Sequence, residues 1–474
     1  MAGNRNTDGT FNNLGSNTNF WSSLESGTNA WRRNLNLSEA RVNRNTNNKL
    51  NGFSVRCLKD WQQLPAAKMR RADIKDMEQL LYDLFKAYYD ARKNKRNTIN
   101  ALDFEVDYET KLFELYGDLK SGKYQIGKSI CFISFEPTKR EIFAADFRDR
   151  IIHHLIFNYI NPIFERLFIN DSYSCRKNKG TSYGIERLNH FIRSCSENYS
   201  KDCYILKLDI KGYFMRIDKA LLYQKVEEAV KNSKKFDFSA EFLLPLIYKV
   251  IFHNPVENCI IKGSRQNWTG LPKSKSLFFA AKDRGLPIGN LTSQLFGNVY
   301  LNDFDHFIKN NLGCKYYSRY VDDFVIVNRD KKYLKSIIPI IGGYLKNNFF
   351  LDIHPNKIYL QHFSKGVKFL GTEIKPHRMY VCNRIKGNFY KRIRGWETLL
   401  SKRKKILPKD FVEKILCGTN SYLGLMQNFN TYRLRRKMIE REFMPRFENV
   451  KITGGWGLNG KFLVSPNYEK IMIK

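Results

Sequence analysis

Three carboxylates stand out by type and spacing. Asp322 and Asp323 are adjacent within Arg319-Tyr320-Val321-Asp322-Asp323-Phe324-Val325-Ile326-Val327, and Asp209 closes the run Tyr204-Ile205-Leu206-Lys207-Leu208-Asp209. A bare Asp-Asp pair fills many ordinary turns, because Asp hydrogen-bonds its local backbone. A third acid at the end of a second β-prone run widens the chemistry on offer. Carboxylates delivered by two strands to one end of a sheet can bind two divalent cations roughly 3.5–4 Å apart, which suits in-line phosphoryl transfer. Mg²⁺ fits such a site, since it takes oxygen ligands and shares its coordination with substrate phosphates.

The flanks predict the elements that must hold these acids. β-Branched and aromatic residues on both sides of Asp322-Asp323 predict strand, tight turn, strand, with the acids at the tip. Between the two acidic stretches lies Arg284-Gly285-Leu286-Pro287-Ile288-Gly289-Asn290-Leu291-Thr292-Ser293-Gln294. Here Asn290 is the expected cap of a helix running to about residue 307. Apolar spacings of three and four predict helices from Met69 through Tyr88, over 150–168 and over 331–346. His153 and His154 are neighbours on the second of these, point in different directions, and are read as structural rather than as ligands. Residues 124–135 read as strand and turn. Residues 231–284 form a long basic insertion with no legible role.

The order of these motifs resembles a reverse transcriptase, from about Ala91 to about Arg436. Tyr320-Val321-Asp322-Asp323 resembles the catalytic Y-x-D-D box, and Asp209 through Phe214 the other metal-binding motif. The string from Arg284 to Gln294 is similar to that of diversity-generating retroelements, which end it in S-Q and place an apolar residue where most relatives have Gln. The resemblance implies an α/β (α+β) right-hand polymerase, with fingers and an antiparallel palm over 61–382, a helical thumb over 383–442 and an extension over 443–474. It implies RNA-templated DNA synthesis with two Mg²⁺ ions and dNTPs. The metal site would be Asp209, Ile210, Asp322 and Asp323, the three acids being catalytic. Lys139, Arg140, Tyr213, Phe214, Ile288, Gly289, Gln294 and Lys357 fall on the nucleotide side. Tyr213 is favoured as the aromatic that excludes a ribose 2′-hydroxyl, and Lys357 resembles the Lys that protonates departing pyrophosphate. Gly289 is expected to let the backbone approach the nucleotide. Ile288 would give dispersion where Gln gives a hydrogen bond, loosening base selection. Arg176, Lys177 and Gly180 within Ser172 to Gly180, and Leu370 and Gly371 of a primer-grip hairpin, fall on the template and primer side. Two rival readings stay open: an intron-type or phage-defence reverse transcriptase, and an inactive polymerase fold serving as an RNA-binding scaffold.

Composition agrees with a nucleic-acid partner. The 474 residues carry 81 Lys and Arg against 46 Asp and Glu, a formal +35 spread along the chain, and 14% are aromatic. Such a field favours a polyanion, and aromatic rings offer stacking surfaces to bases. The expected partners are template RNA, the cDNA/RNA duplex and a small basic accessory protein. No apolar run approaches the roughly 20 residues that span a bilayer, so no membrane partner is expected. Nine Cys without C-x-x-C spacing read as reduced thiols, and with no apolar leader they predict a cytoplasmic, prokaryotic or phage-encoded protein.

Residues 1–60 differ in kind. They are rich in Asn and poor in apolar periodicity, which predicts disorder. The stretch Asn51-Gly52-Phe53-Ser54-Val55-Arg56-Cys57 resembles the close of the C-type-lectin-like domains that such retroelements diversify. Trp21-Ser22-Ser23 and Asn29-Ala30-Trp31 resemble their ligand-binding stretch. A template repeat read in frame and an ordinary Asn-rich extension both account for this composition.

Overall fold

The computed structural model describes residues 71–443 apart from 94–97, 136–137, 234–238, 402–408 and 428, with backbone strands and turns within 2–49 and 452–466. Residues 1–75 and 76–474 form two compact units. In the first, β1 (Ala2–Arg5), β2 (Phe11–Leu14), β3 (Asn17–Ser26), β4 (Asn29–Asn36) and β5 (Val42–Asn48) form one sheet of order β2-β1-β3-β4-β5. Strands therefore stand where disorder was expected, within the ranges of β1 to β5. β3 and β4 pair down to Ser26↔Asn29, which leaves a two-residue turn with Gly27 at φ +59°. Turn chemistry of that kind sets a hairpin without any apolar period, because the ladder is held by backbone donors and acceptors that Asn-rich strands also carry. The lectin-like ending at 51–60 lies outside the described residues.

The chain continues through α1 (Arg71–Arg92), α2 (Ile99–Val106) and α3 (Tyr108–Lys120) to β6 (Ser129–Ser134) and β7 (Arg140–Ala144). Next come α4 (Phe147–Leu167), α5 (Thr181–Cys195), β8 (Tyr204–Asp209), α6 (Tyr213–Arg216), α7 (Lys219–Lys231), α8 (Ala240–Phe252) and β9 (Cys259–Ile261). α9 (Leu291–Tyr300) and α10 (Asn302–His306) precede β10 (Tyr316–Tyr320), β11 (Asp323–Asn328), α11 (Lys331–Phe349) and β12 (Tyr359–His362). The hairpins β13 (Val367–Phe369), β14 (Thr372–Lys375) and β15 (Arg378–Val381) lead to α12 (Asn383–Ser401), α13 (Lys409–Gln427) and α14 (Tyr432–Lys437). β16 (Ile452–Trp456) and β17 (Phe462–Pro466) pair as a last hairpin.

The central antiparallel sheet, of order β10-β11-β8-β12, is buried on both faces. Side-chain alternation sorts it into two cores. Leu206, Leu208, Phe324 and Ile326 join the larger core with Leu334, Ile337, Ile341 and Leu345 of α11, which repeat every three or four residues. Ile205, Val325 and Val327 face the other way, onto Ile185, Leu188 and Ile192 of α5. Asp330 caps α11, its carboxylate accepting from the amides of Lys332 (2.7 Å) and Tyr333 (3.1 Å). The final helices have their own core, with Phe389, Ile393 and Trp396 of α12 packed with Ile415, Leu423 and Met426 of α13.

Two readings need correction. Part of the basic insertion is a core helix: α8 buries Leu243, Leu246, Ile247 and Ile251, whose helical spacing was masked by flanking Lys and Ser. Asn290 stands at the start of α9 without capping it. Its Oδ1 accepts instead from the Ala145 amide at 3.0 Å, tying α9 to the end of β7.

Candidate active site

The backbone brings the three acids together. β11 pairs with β8 so that Asp323 lies opposite Asp209, and Tyr320 pairs with Asp323 across a two-residue turn made by Val321 and Asp322. Val321 takes φ +58°, a left-handed conformation unusual for a β-branched residue. Further backbone bonds fix the junction. Ile210 donates its amide to the Asp322 carbonyl at 3.0 Å, Lys211 to Asp352 at 2.9 Å, and His354 to the Asp209 carbonyl at 2.7 Å.

A fully buried side chain holds the turn from beneath. The Arg319 guanidinium donates to the Val321 carbonyl at 3.0 Å and grips both carboxylate oxygens of Asp305, from Nε at 2.7 Å and Nη2 at 2.6 Å. Tyr317 donates its hydroxyl to the same carboxylate at 2.6 Å, and Asn298 accepts from Arg319 at 3.3 Å. Asn298 in turn donates to the Ser174 carbonyl at 2.7 Å, so the 171–180 loop hangs on the same cluster. Sequence reasoning missed Arg319, Asp305 and Asn298. The available signal was phase: Arg319 shares its strand face with buried Tyr317, and a charge at a core position demands a partner.

Each outer acid meets a lysine. Lys357 Nζ lies 2.7 Å from Asp209 Oδ2, and Lys207 Nζ lies 3.0 Å from Asp323 Oδ2. Lys207 also donates to the Lys368 carbonyl at 3.1 Å, joining Asp323 to the β13–β14 hairpin. Burial, then the charge of Asp209, holds Asp322 above the ordinary carboxylate range. Burial pushes Asp323 up to about 6, against the opposing pull of the Lys207 ammonium. Asp323 Oδ1 is buried with no hydrogen-bond partner. Among the described residues no group of three His, Cys, Asp or Glu side chains is already arranged as a metal cage. The oxygen donors nevertheless fit hard divalent cations: three acids converge, one has a free buried oxygen, and burial raises two of them, Asp322 and Asp323, above the ordinary carboxylate range.

The nucleotide-side candidates are sorted by the fold. Tyr213 is 2% exposed and donates its hydroxyl to the Gly297 carbonyl, so it is core. Phe214 lies half-buried beside it. Neighbours on a one-turn helix diverge, so only one ring can face the site, and this corrects the preference for Tyr213. Ile288 packs with Phe214 against buried Cys131, Phe143, Met215 and Leu277, and its carbonyl accepts from the Phe143 amide at 2.8 Å. Gly289 (φ +132°) is exposed and also lets β7 pack closely: a Cβ there would stand 2.8 Å from the Phe143 carbonyl oxygen. Arg140 is exposed at the start of β7, and its charge reaches Asp322. Lys139 donates to the Thr269 carbonyl at 2.6 Å, and Gln294 is exposed on α9.

On the template side, Arg176 is not free for nucleic acid. Its side chain is 5% exposed, paired with Glu165 at 2.9 Å and bonded to the Ile169 and Ser172 carbonyls at 2.6 and 2.8 Å. A guanidinium with five donors satisfies the loop's own carbonyls, which sequence cannot distinguish from phosphate contact. Lys177 is exposed, and Gly180, at φ +105°, starts α5. Leu370 and Gly371 form the two-residue β13–β14 turn, at φ +48° and +84°, with Leu370 half-buried over α5.

A mixed helix–sheet fold with acids on an antiparallel hairpin defines a right-hand polymerase, and comparison with known proteins specifies the class. The chain belongs to the reverse transcriptase (RNA-dependent DNA polymerase) family, whose profile matches residues 136–374, and is an enzyme of that class. Reverse transcriptase domains use divalent metal ions and dNTPs. The chain is 22% identical over 310 residues to Protein YkfC of Escherichia coli (strain K12), covering 58% of this chain and 74% of that protein. It is 21% identical over 323 residues to the Putative COX1/OXI3 intron 2 protein of Saccharomyces cerevisiae, covering 55% of this chain but 34% of the yeast protein. Among solved structures, telomerase from Candida albicans in complex with a fragment of telomeric RNA has a TM-score of 0.40 at 12% identity, covering 73% of this chain and 60% of that one. Apo telomerase from Candida tropicalis has a TM-score of 0.37 at 14% identity, covering 56% and 58%. No described helix is long and apolar enough to cross a membrane.

Proposed function

We propose that this enzyme is the reverse transcriptase of a diversity-generating retroelement, copying a template-repeat RNA into cDNA with errors at template adenines. Asp209, Asp322 and Asp323, with the Ile210 backbone beside them, would hold two Mg²⁺ ions, which when bound activate the primer hydroxyl and stabilise the leaving pyrophosphate. Arg140 meets the incoming triphosphate, Phe214 excludes the ribose 2′-hydroxyl, and Lys357 donates a proton toward pyrophosphate. The basic thumb and Lys177 track template and duplex backbones. A small basic accessory protein completes the assembly in the cytoplasm of a prokaryotic or phage-infected cell.

The observation that carries this reading is Ile288. It sits in the string from Arg284 to Gln294 and packs into the same apolar cluster as Phe214, so nothing polar is offered at that point. Losing one hydrogen bond near the nucleotide removes about 1 kcal/mol or more of discrimination. The full chain should therefore extend a primed RNA with Mg²⁺ and dNTPs, and sequenced cDNA should show misincorporation concentrated opposite adenine. Ile288→Gln should lower that rate severalfold. Errors spread evenly over the four template bases would sink the proposal. An intron-type role is the second reading, favoured by similarity to the yeast intron protein. It predicts faithful cDNA from this same assay.

A further inference from the structure

The basic insertion leaves a ledge beside the active site that the polymerase reading does not use. Residues 262–284 carry six Lys and Arg against one acid. Lys262, Arg265, Lys273, Lys275 and Lys282 are exposed, and none forms an ion pair among the described residues. Phe279 is 62% exposed, with Lys273 Nζ 5.4 Å from its ring centre.

This ledge is not a loose solvated loop. Glu141 on β7, only 1% exposed, accepts from Trp268 Nε1 (2.6 Å), the Ser276 hydroxyl (2.7 Å) and the Leu277 amide (2.6 Å). Lys262 donates its amide to the Cys131 carbonyl at 2.8 Å, and Phe278 packs on Phe143 at 5.6 Å. The segment also rests on the catalytic loop: a Cβ on Gly212, three residues after Asp209, would meet the Ser274 carbonyl oxygen at 2.9 Å. A carboxylate is buried, then, to hold in fixed register a segment whose five exposed cations form no ion pair among the described residues and whose aromatic ring faces water. Unpaired cations interleaved with an exposed ring match single-stranded nucleic acid, which offers phosphates and base faces together.

We propose that the ledge binds the single-stranded template as it approaches the copying point, Lys273 and Lys275 meeting phosphates and Phe279 stacking on a base. This rests on the polymerase reading and assigns that enzyme a template-entry site. The experiment uses the full chain without dNTPs, measuring by fluorescence anisotropy its affinity for primer–template hybrids with a template 5′ overhang of about two or about twelve nucleotides. The parent should prefer the longer overhang by roughly tenfold, as loss of a stacked base and two phosphate contacts would imply. Phe279→Ala, and Lys273→Ala with Lys275→Ala, should each remove most of that preference while KM for dNTP in primer extension stays unchanged. Variants that keep the parent's overhang preference would overturn the proposal. So would a raised KM for dNTP with the preference intact, which would give these cations to the triphosphate. A parent chain that shows the preference yet extends no primer would count against the polymerase reading and leave the ledge standing.

Discussion

Arg319 and Asp305, each fully buried, form an ion pair beneath the turn that carries Asp322. The guanidinium has the Asp305 carboxylate on one side and the Val321 carbonyl on the other, so the strained turn that presents Asp322 is bonded from within. Removing one partner of a buried pair strands the other charge, at a cost of about 3–5 kcal/mol. Asp305→Asn should thus lower the urea midpoint markedly and reduce synthesis in the fraction that remains folded. Asp322→Asn should do the reverse. It removes a charge from a crowded acidic site, so synthesis should fall by orders of magnitude while the unfolding midpoint holds or rises. Comparing urea melts with primer extension for both variants separates the roles; an active Asp322→Asn enzyme would end its assignment as a metal-site acid. The three acids were legible because carboxylates at strand ends are conspicuous against β-formers. The Arg319 cluster was not, since its partners lie 14 and 21 positions away and meet only when α9 and α10 pack against the sheet.

At the scale of elements, α4 carries a titration that couples acid to unfolding. Burial first, with the charges of Arg150, His154 and His253 adding to it, pushes His153 down to about 3, and burial likewise pushes His154 to about 4. His153 Nδ1 lies 2.8 Å from the Thr292 hydroxyl, joining α4 to α9. An unfolded His takes a proton below about 6.5, whereas these two stay neutral in the fold. Their contribution is therefore fully present above that value and is lost as pH falls through it toward their folded values. The loss approaches about 1.4 kcal/mol per pH unit for each group. Urea midpoints should fall between pH 7 and 5, and His153→Asn should flatten that slope; an unchanged slope would place the sensitivity elsewhere. Elements with strong periodicity were read from sequence to within a few residues: α4 was expected over 150–168 and spans 147–167. The reading erred where one residue can serve two geometries, as at Arg176, whose guanidinium closes its own loop. Sequence gave the residue type there, but tertiary neighbours chose the role.

At the scale of the whole molecule, the two units have different foundations. The second contains the acids, both faces of the central sheet and the thumb core, all drawn from residues after Lys75. A chain beginning at Met69 should accordingly fold and extend primers at a rate within about twofold of the full chain, because a unit with its own core is independent of its neighbour's. Circular dichroism and primer extension would check this. A truncated chain that folds but does not polymerise would make residues 1–68 a working part of the enzyme, and their Asn-rich composition would no longer be explained by a template read in frame.

The amides of Ile210, Lys211 and His354 are each donated to a carbonyl at the junction where the end of β8 meets the Asp322 turn and residues 352–354. None of the three can trade its proton for deuterium until that junction parts. Their exchange thus acts as a clock for opening of the catalytic end of the sheet. It can be read on the protein alone, with neither metal nor nucleic acid added, and compared directly with the slowest amides of β11 to say whether the active site breathes or opens only when the whole fold does.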